Sequence, residues 1–379
     1  MYKRQVTTFA ASISAGGWNE TIYATLSGVT DADVTSVSYS GTTSGTLAGE
    51  DFTYLVRDYN GGVRIDIPGV PTGTYTLTVG TTSGELTQSN IYVPEQDRSG
   101  YAHFNYTEGV GAYNDDGTLK ANAKVLYVTD ENKETVTVSS ADGTTVTGIG
   151  NILNNNVELM NQVTVVDNHP LIFRFIGNVE LPKNLTPHGE KDPVLGGSTS
   201  DNGAMAITKK ARNITLEGIG NDATIDGWGF TFSMTDTQDP SVHGYSFEVR
   251  NLTFENYPED ALGFQGDQEG TGTDATLTFP IQRVWVHNNS FYPGYCSNPT
   301  ESDKKEGDGS CDFKRGQYYT MSYNYFQDCH KTNLLGSGGS DVQYNMTLHH
   351  NYYNNVGSRQ PLMANGNVHM YNNLSLIHI

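Results

Sequence analysis

The chain has 379 residues, with 42 acidic against 22 basic side chains and a net charge of −20. That balance argues against nucleic acid or an anionic membrane as the main partner, but it leaves room for a polyanion held by a local basic cluster or a divalent cation. No apolar run approaches the roughly 20 residues needed to cross a bilayer. The 42 glycines and 23 tyrosines, set among Thr, Ser and Asn, indicate a turn-rich all-β protein.

The two ends, MYKRQ and LSLIHI, read like translations of a sequencing-adaptor DNA. Residues 1–5 and 374–379 are therefore set aside as one would a tag, with the natural gene expected to continue past both and the last coils of the fold expected to be missing. Residues 6–95 alternate apolar and polar positions in short runs such as ETIYATLSGV, GGVRIDIPGV and GTYTLTVG, with turn residues every 8 to 12 positions. This spacing predicts a small immunoglobulin-like β-sandwich, with VPEQDRSG as the hinge behind it.

Residues 96–373 have a different texture. Short strands recur with an Asn just ahead of an aromatic or aliphatic pair, in RNITLEGIG, RNLTFENY, HNNSFYPG, YNYFQDC, HNYYNNVG and YNN. Asn213, Asn251, Asn289, Asn324, Asn351 and Asn372 can be set in register, with spacings that shrink from 38 to 21 residues. The last spacing is about one coil of a parallel β-solenoid, and the longer ones imply inserted loops. Like residues would then stack at the strand spacing of about 4.8 Å, Asn on Asn and ring on ring. The cysteines leave two alternatives. Cys296 and Cys311 bracket a polar loop and could pair, as in a secreted protein, leaving Cys329 over; or the thiols are free and buried.

Ionisable groups concentrate in ESDKKEGDGSCDFKRGQ. The DFK step reads as a strand start with Asp312 and Lys314 on one face and Phe313 on the other, and Asp308 sits in the Gly-rich loop before it. Carboxylates converging at a loop–strand junction suit a hard cation, above all calcium. One coil earlier NYPEDALGFQG offers Asp260; one coil later DCHKTNLLGSGG offers Lys331; the next brings Arg359 in a stiff Gly- and Pro-flanked turn. Stacked coils would align these along one outer face, acid at one end and base at the other. His349, His350 and His369 are read as stacking or hydrogen-bonding groups, and Trp285 and the tyrosines as stacks within the solenoid.

Taken together, ARNITLEGIGNDATIDGWGF, RNLTFENYPEDALGF, VWVHNNSF, DGSCDFKRG, YTMSYNYFQDCHKTNLLGSGGSD and MTLHHNYYNNVGSRQPLMANGNVHMYNN resemble the pectate lyases of polysaccharide lyase family one, across roughly residues 100–373. The resemblance implies a right-handed parallel β-helix and a calcium-dependent lyase that cleaves polygalacturonate by β-elimination. Carried over by position, Asp260, Asp308 and Asp312 match calcium ligands, Lys314 and Lys331 match substrate-binding lysines, and Arg359 matches the catalytic arginine of an Arg-x-Pro motif. A guanidinium is ordinarily protonated, so residue type alone would suggest an anion clamp; the role of base comes with the resemblance. The chain departs from the family pattern at Pro258, where many members have an acid, at Ala364, where a second arginine stands, and at Trp285-Val286-His287-Asn288. Two rivals remain: a β-helical galacturonan hydrolase and a non-catalytic pectin binder. A monomer is expected, placed outside the cytoplasm because the polymer is too large to import.

Overall fold

The computed structural model describes residues 10–153, 157–183, 185, 187–191, 202–208, 210–234, 244–257, 260–266, 281–294, 309–336 and 343–376. The chain divides into two units. One comprises residues 1–97 with Tyr113–Leu119, the other Arg98–Ala112 with Lys120–Ile379. A short later segment, Tyr113–Leu119, thus belongs to the first unit.

The first unit contains two four-stranded antiparallel sheets. One runs in the order Ser12–Trp18, Thr21–Ser27, Gly62–Pro68, Val56–Tyr59; the other Gly45–Thr46, Val34–Gly41, Gly73–Thr81, Gly84–Val93. Alternation in TIYATLS and GVRIDIP turns Ile22, Ala24, Ile65 and Ile67 inward. They share one core with Val37, Leu77 and Val79 of the other sheet.

The second unit is a parallel β-helix with three faces. The first stacks Lys124–Val128, Leu171–Glu180, Arg212–Asp226, Gly244–Arg250, Ile281–His287, Gln317–Ser322, Gln343–His349 and Gly366–Tyr371. Leu171–Glu180 and Arg212–Asp226 pair with each other on both sides of an irregularity at Ile176/Asn178, so each runs through a corner into the second face. That face continues through Thr253–Glu255, Ser290–Tyr292, Tyr325–Gln327, Tyr352–Asn354 and Leu374–Leu376. Leu374–Leu376, set aside as a tail in the sequence, thus pairs in register with Tyr352–Asn354. The third face holds Asn202–Thr208, Trp228–Met234, Leu262–Gly266, Cys311–Lys314, Leu334–Leu335 and Leu362–Met363 in parallel.

Inside, like stacks on like. Phe254, Phe291, Phe326 and Tyr353 form a ladder with ring centroids 5.2, 4.7 and 5.1 Å apart and planes within 8° of parallel. Beside it, at the corner between the first two faces, Asn289 Nδ2 donates to Asn324 Oδ1 (3.1 Å), Asn324 to Asn351 (3.0 Å) and Asn351 to Asn373 (2.9 Å). The predicted asparagine register is therefore half right. Asn289, Asn324 and Asn351 share the column, but its last member is Asn373 rather than Asn372, and its first rung is Leu252, whose amide donates to Asn289. Asn251 and Asn372 belong one residue earlier, in a column with Asn288, Tyr323 and His350 whose backbones are all left-handed, φ 53° to 56°. Asn213 lies in a third column, at the strand starts, with Ser246, Arg283, Tyr318 and Asn345, again left-handed. Asparagine tolerates this conformation better than most residues, which is why it recurs in neighbouring columns.

Among the described residues Cys311 and Cys329 are both buried and form no disulfide with each other. Strand alternation turns Cys311 to the interior beside Phe313. Cys296 lies outside the described residues. Trp285 and His349 are buried and stack, on His287 (3.6 Å) and Tyr371 (4.9 Å), as expected for structural roles.

The outward side of the first face is covered by residues of the Arg98–Ala112 segment. The amides of Tyr101, Ala102, Gly111 and Ala112 donate to the hydroxyls of Thr347, Thr320, Ser246 and Thr215, a different rung in each case. Beside this cover lies a buried ionic row. Arg174 Nε is 2.7 Å from Glu217, Arg250 Nη2 2.7 Å from Glu217, Arg250 Nη1 3.2 Å from Glu248, and His287 Nε2 3.1 Å from Glu248. Burial opposes ionisation of Glu248, but Arg250, His287 and Thr215 outweigh it and hold the carboxyl at about 2, from 4.5. Burial also depresses His287 from 6.5, with Glu248 pulling the other way. Both folded values lie below the unfolded ones, so both contributions to stability are complete above the unfolded pKa and disappear as pH falls through the folded one. The melting temperature should fall as pH drops from 6.5 toward 2, and Glu248→Gln should flatten the part below 4.5. Equal slopes for the two proteins in an acid titration followed by circular dichroism would refute this assignment.

Candidate active site

The candidate residues lie where the chain enters the third face. In the alternation of CDFK across stacked strands, Leu262 pairs with Cys311 and Phe264 with Phe313 toward the core, which turns Asp312 and Lys314 outward. Asp260 stands just before Leu262–Gly266. Asp312 is nevertheless 2% exposed and Asp260 8%. Lys314 Nζ lies 3.2 Å from Asp312 Oδ2 and 3.9 Å from Asp260 Oδ2, bridging the two acids. Asp308 lies outside the described residues.

The next two coils supply the basic side. Lys331, 9% exposed, bridges to Ser358. The segment 331–334 connects the two halves of the site: the Leu334 amide donates to Asp312 Oδ1 (2.8 Å), the Asn333 amide to the Arg359 carbonyl (2.8 Å), and the Thr332 amide to Ser358 (3.1 Å). Arg359 is left-handed, φ 63°, a strained state for a non-glycine residue that the surrounding bonds hold in place. Of the predicted residues, Asp260, Asp312 and Lys314 meet directly. Lys331 and Arg359 follow on successive coils, and Arg359 is close enough for its charge to favour ionised Asp312.

The donor set suits a hard cation. A Cβ at Gly309 would sit 2.4 Å from Asp260 Oδ1 and 3.1 Å from Asp312 Oδ1, so this glycine keeps clear a point that both carboxylates face. Burial pushes the Asp312 carboxyl up even though Lys314, the Leu334 amide and Arg359 oppose it. The site therefore has electrostatic room for further positive charge, and carboxylate oxygens are what calcium prefers. Gly309 and Asn333 were missed in the sequence; the signal for Gly309 was its place between the two acids of DGSCD.

The pectate lyase family model matches residues 192–377. Pectate lyase 2 of Pectobacterium carotovorum is 31% identical over 209 residues, covering 54% of this chain and 49% of that protein. The pectate trisaccharide-lyase of Bacillus licheniformis is 31% identical over 183 residues, 46% of each chain. The chain thus spans about half the length of the curated relatives it matches. Among solved structures, a pectate lyase from Bacillus sp. N165 in complex with trigalacturonate aligns with a TM-score of 0.45 and 20% identity, over 73% of this chain and 68% of that one. Residues 192–377, the stretch that carries the stacked acids, lysines and arginine, match the pectate lyase family, and the relatives that align there are pectate lyases.

Proposed function

We propose that the protein is a calcium-dependent pectate lyase that cleaves polygalacturonate by β-elimination to 4,5-unsaturated oligogalacturonides. The observation that carries this is the continuity of the site: two buried carboxylates facing one point, joined by the amides of residues 332–334 to the turn that holds Arg359. Asp260 and Asp312 would hold calcium, with Asp308 as the third ligand. The bound ion would neutralise the galacturonate carboxylate and so lower the cost of negative charge developing beside it.

Arg359, in its neutral guanidine form, acts as the base and takes the proton from carbon 5, becoming the charged guanidinium. The electrons of that C–H bond form the double bond to carbon 4 as the bond to the glycosidic oxygen breaks, and the departing oxygen takes up a proton to become the hydroxyl of the released fragment. Lys331 stabilises the charge that grows on the carboxylate, and Lys314 holds a neighbouring ring. Water is not a reactant, which separates this chemistry from hydrolysis by paired carboxylates. Free pectate fits better than its methyl ester, which offers no carboxylate for the cation to neutralise. An extracellular place of work follows from the size of the polymer, and among the described residues no helix is long and apolar enough to span a membrane.

For the first unit we keep the immunoglobulin-like reading. Its strand order, with sheets 1-2-6-5 and 4-3-7-8 counting strands along the chain, is that of a constant-type sandwich with one strand added. Tyr75, at the start of the seventh strand, donates its hydroxyl to the Pro71 carbonyl at 2.8 Å, as a tyrosine corner does.

The test is near-ultraviolet absorbance of unsaturated product from polygalacturonate. It should rise with calcium present, stop on adding a chelator and resume when calcium is restored. Saturated galacturonides as the only product would replace the lyase reading with hydrolysis; calcium-dependent binding without turnover would replace it with a binder.

A further inference from the structure

We infer that Asn333 and Tyr353 are positioning residues for Arg359, acting from inside the core. Asn333 is wholly buried, a polar side chain among apolar ones. Its Nδ2 donates to the Cys311 carbonyl at 3.1 Å, and its Oδ1 accepts from the Tyr353 hydroxyl at 3.1 Å. Its own amide donates to the Arg359 carbonyl at 2.8 Å. Tyr353 and Arg359 are the two ends of one turn, YNNVGSR. A single residue of the preceding coil therefore pins both ends, one through its side chain and the other through its backbone.

A second observation points the same way. The interior ladder uses Phe at Phe254, Phe291 and Phe326 and changes to Tyr only at Tyr353, the rung whose hydroxyl reaches Asn333. An apolar core would be served by a fourth Phe, since a buried hydroxyl and amide carry a desolvation cost that only their mutual bonds offset. What the pair adds is direction. It holds the 331–334 segment at a fixed depth, and that segment sets the Arg359 carbonyl on one side and Asp312 on the other. A guanidine base needs such fixing, because small displacements of a reacting group are expensive in rate. What Arg359 does chemically rests on the pectate lyase reading; that it is held this way does not.

The experiment compares the full chain with Tyr353→Phe, Asn333→Leu and the double variant, by hydrogen exchange and by kinetics on polygalacturonate with calcium. Both single variants should exchange faster than the parent in peptides spanning residues 355–360, while the first coils stay unchanged. Their kcat should fall about ten- to a hundredfold with KM little altered. In the double variant the Tyr353 hydroxyl is no longer stranded, so the melting temperature should recover part of what Asn333→Leu loses, the Cys311 carbonyl alone remaining without its Asn333 donor, while kcat stays low. Unchanged exchange in the single variants overturns the inference whether or not the chain is active. Unchanged kcat in an active chain, or a kcat that recovers together with the melting temperature, also overturns it. An inactive parent chain overturns the lyase reading instead, and the exchange data still decide whether the turn is pinned.

Discussion

Arg359→Ala should lower kcat on polygalacturonate by about a thousandfold or more, the range in which a general base contributes, with a smaller change in KM. The side chain sits in a turn fixed from several directions: the Asn333 amide on its carbonyl, the Gly357 amide on Cys329 (2.8 Å) and Ser358 Oγ on the His330 carbonyl (3.0 Å). None of these bonds involves the guanidinium, so removing it should leave the fold and the carboxylate pair in place. Calcium binding by titration calorimetry should therefore survive the substitution. Arg359→Lys separates two roles. A clamp for an anion would keep much of its function with an ammonium, whereas a base that depends on the planar, fixed fork would not. A variant that loses less than tenfold in kcat would remove Arg359 from the chemistry.

The second large effect concerns stability. Asn324→Leu should cost about 3–5 kcal/mol, measured as a lower denaturant midpoint at unchanged slope. Asn324 is 1% exposed. Its Nδ2 donates to Asn351 Oδ1 (3.0 Å), the Val286 carbonyl (2.9 Å) and the Ser322 carbonyl (3.1 Å), and its Oδ1 accepts from both the amide and the side chain of Asn289 (3.1 Å each). Leucine fills similar space but strands these buried groups, each worth roughly 1–3 kcal/mol when left without a partner. The same change at Asn373, half-buried at the end of the column, should cost clearly less, because water can replace what is lost there. Equal costs at the two positions would show that the ladder contributes through volume and not through its bonds.

Much of this was legible in the residues. The recurring Asn and paired aromatics announced coils, and Asp312-Phe313-Lys314 announced an outward pair around an inward ring, because period-two alternation is a local property of a strand. Register between coils was harder. Asparagine serves both the amide column and the left-handed corner one residue earlier, so Asn251 and Asn372 could not be told from ladder members by type, and loops of unequal length hid the offset. Asn333 was invisible for a related reason. In KTNLLG a polar residue beside leucines reads as surface, and only the stack shows Tyr353 waiting on the next coil. The segment over the first face, SGYAHFNYTEGVGA, has no periodicity at all; it is held by its backbone amides, which composition does not report.

The coils of the second unit bond chiefly to the coil above and the coil below. A tether pulled at one terminus should therefore meet resistance one winding at a time, and the force trace should show a train of similar peaks where a globular domain gives one. Released partway, the remaining windings offer an intact template on which the loosened length can lay itself down again.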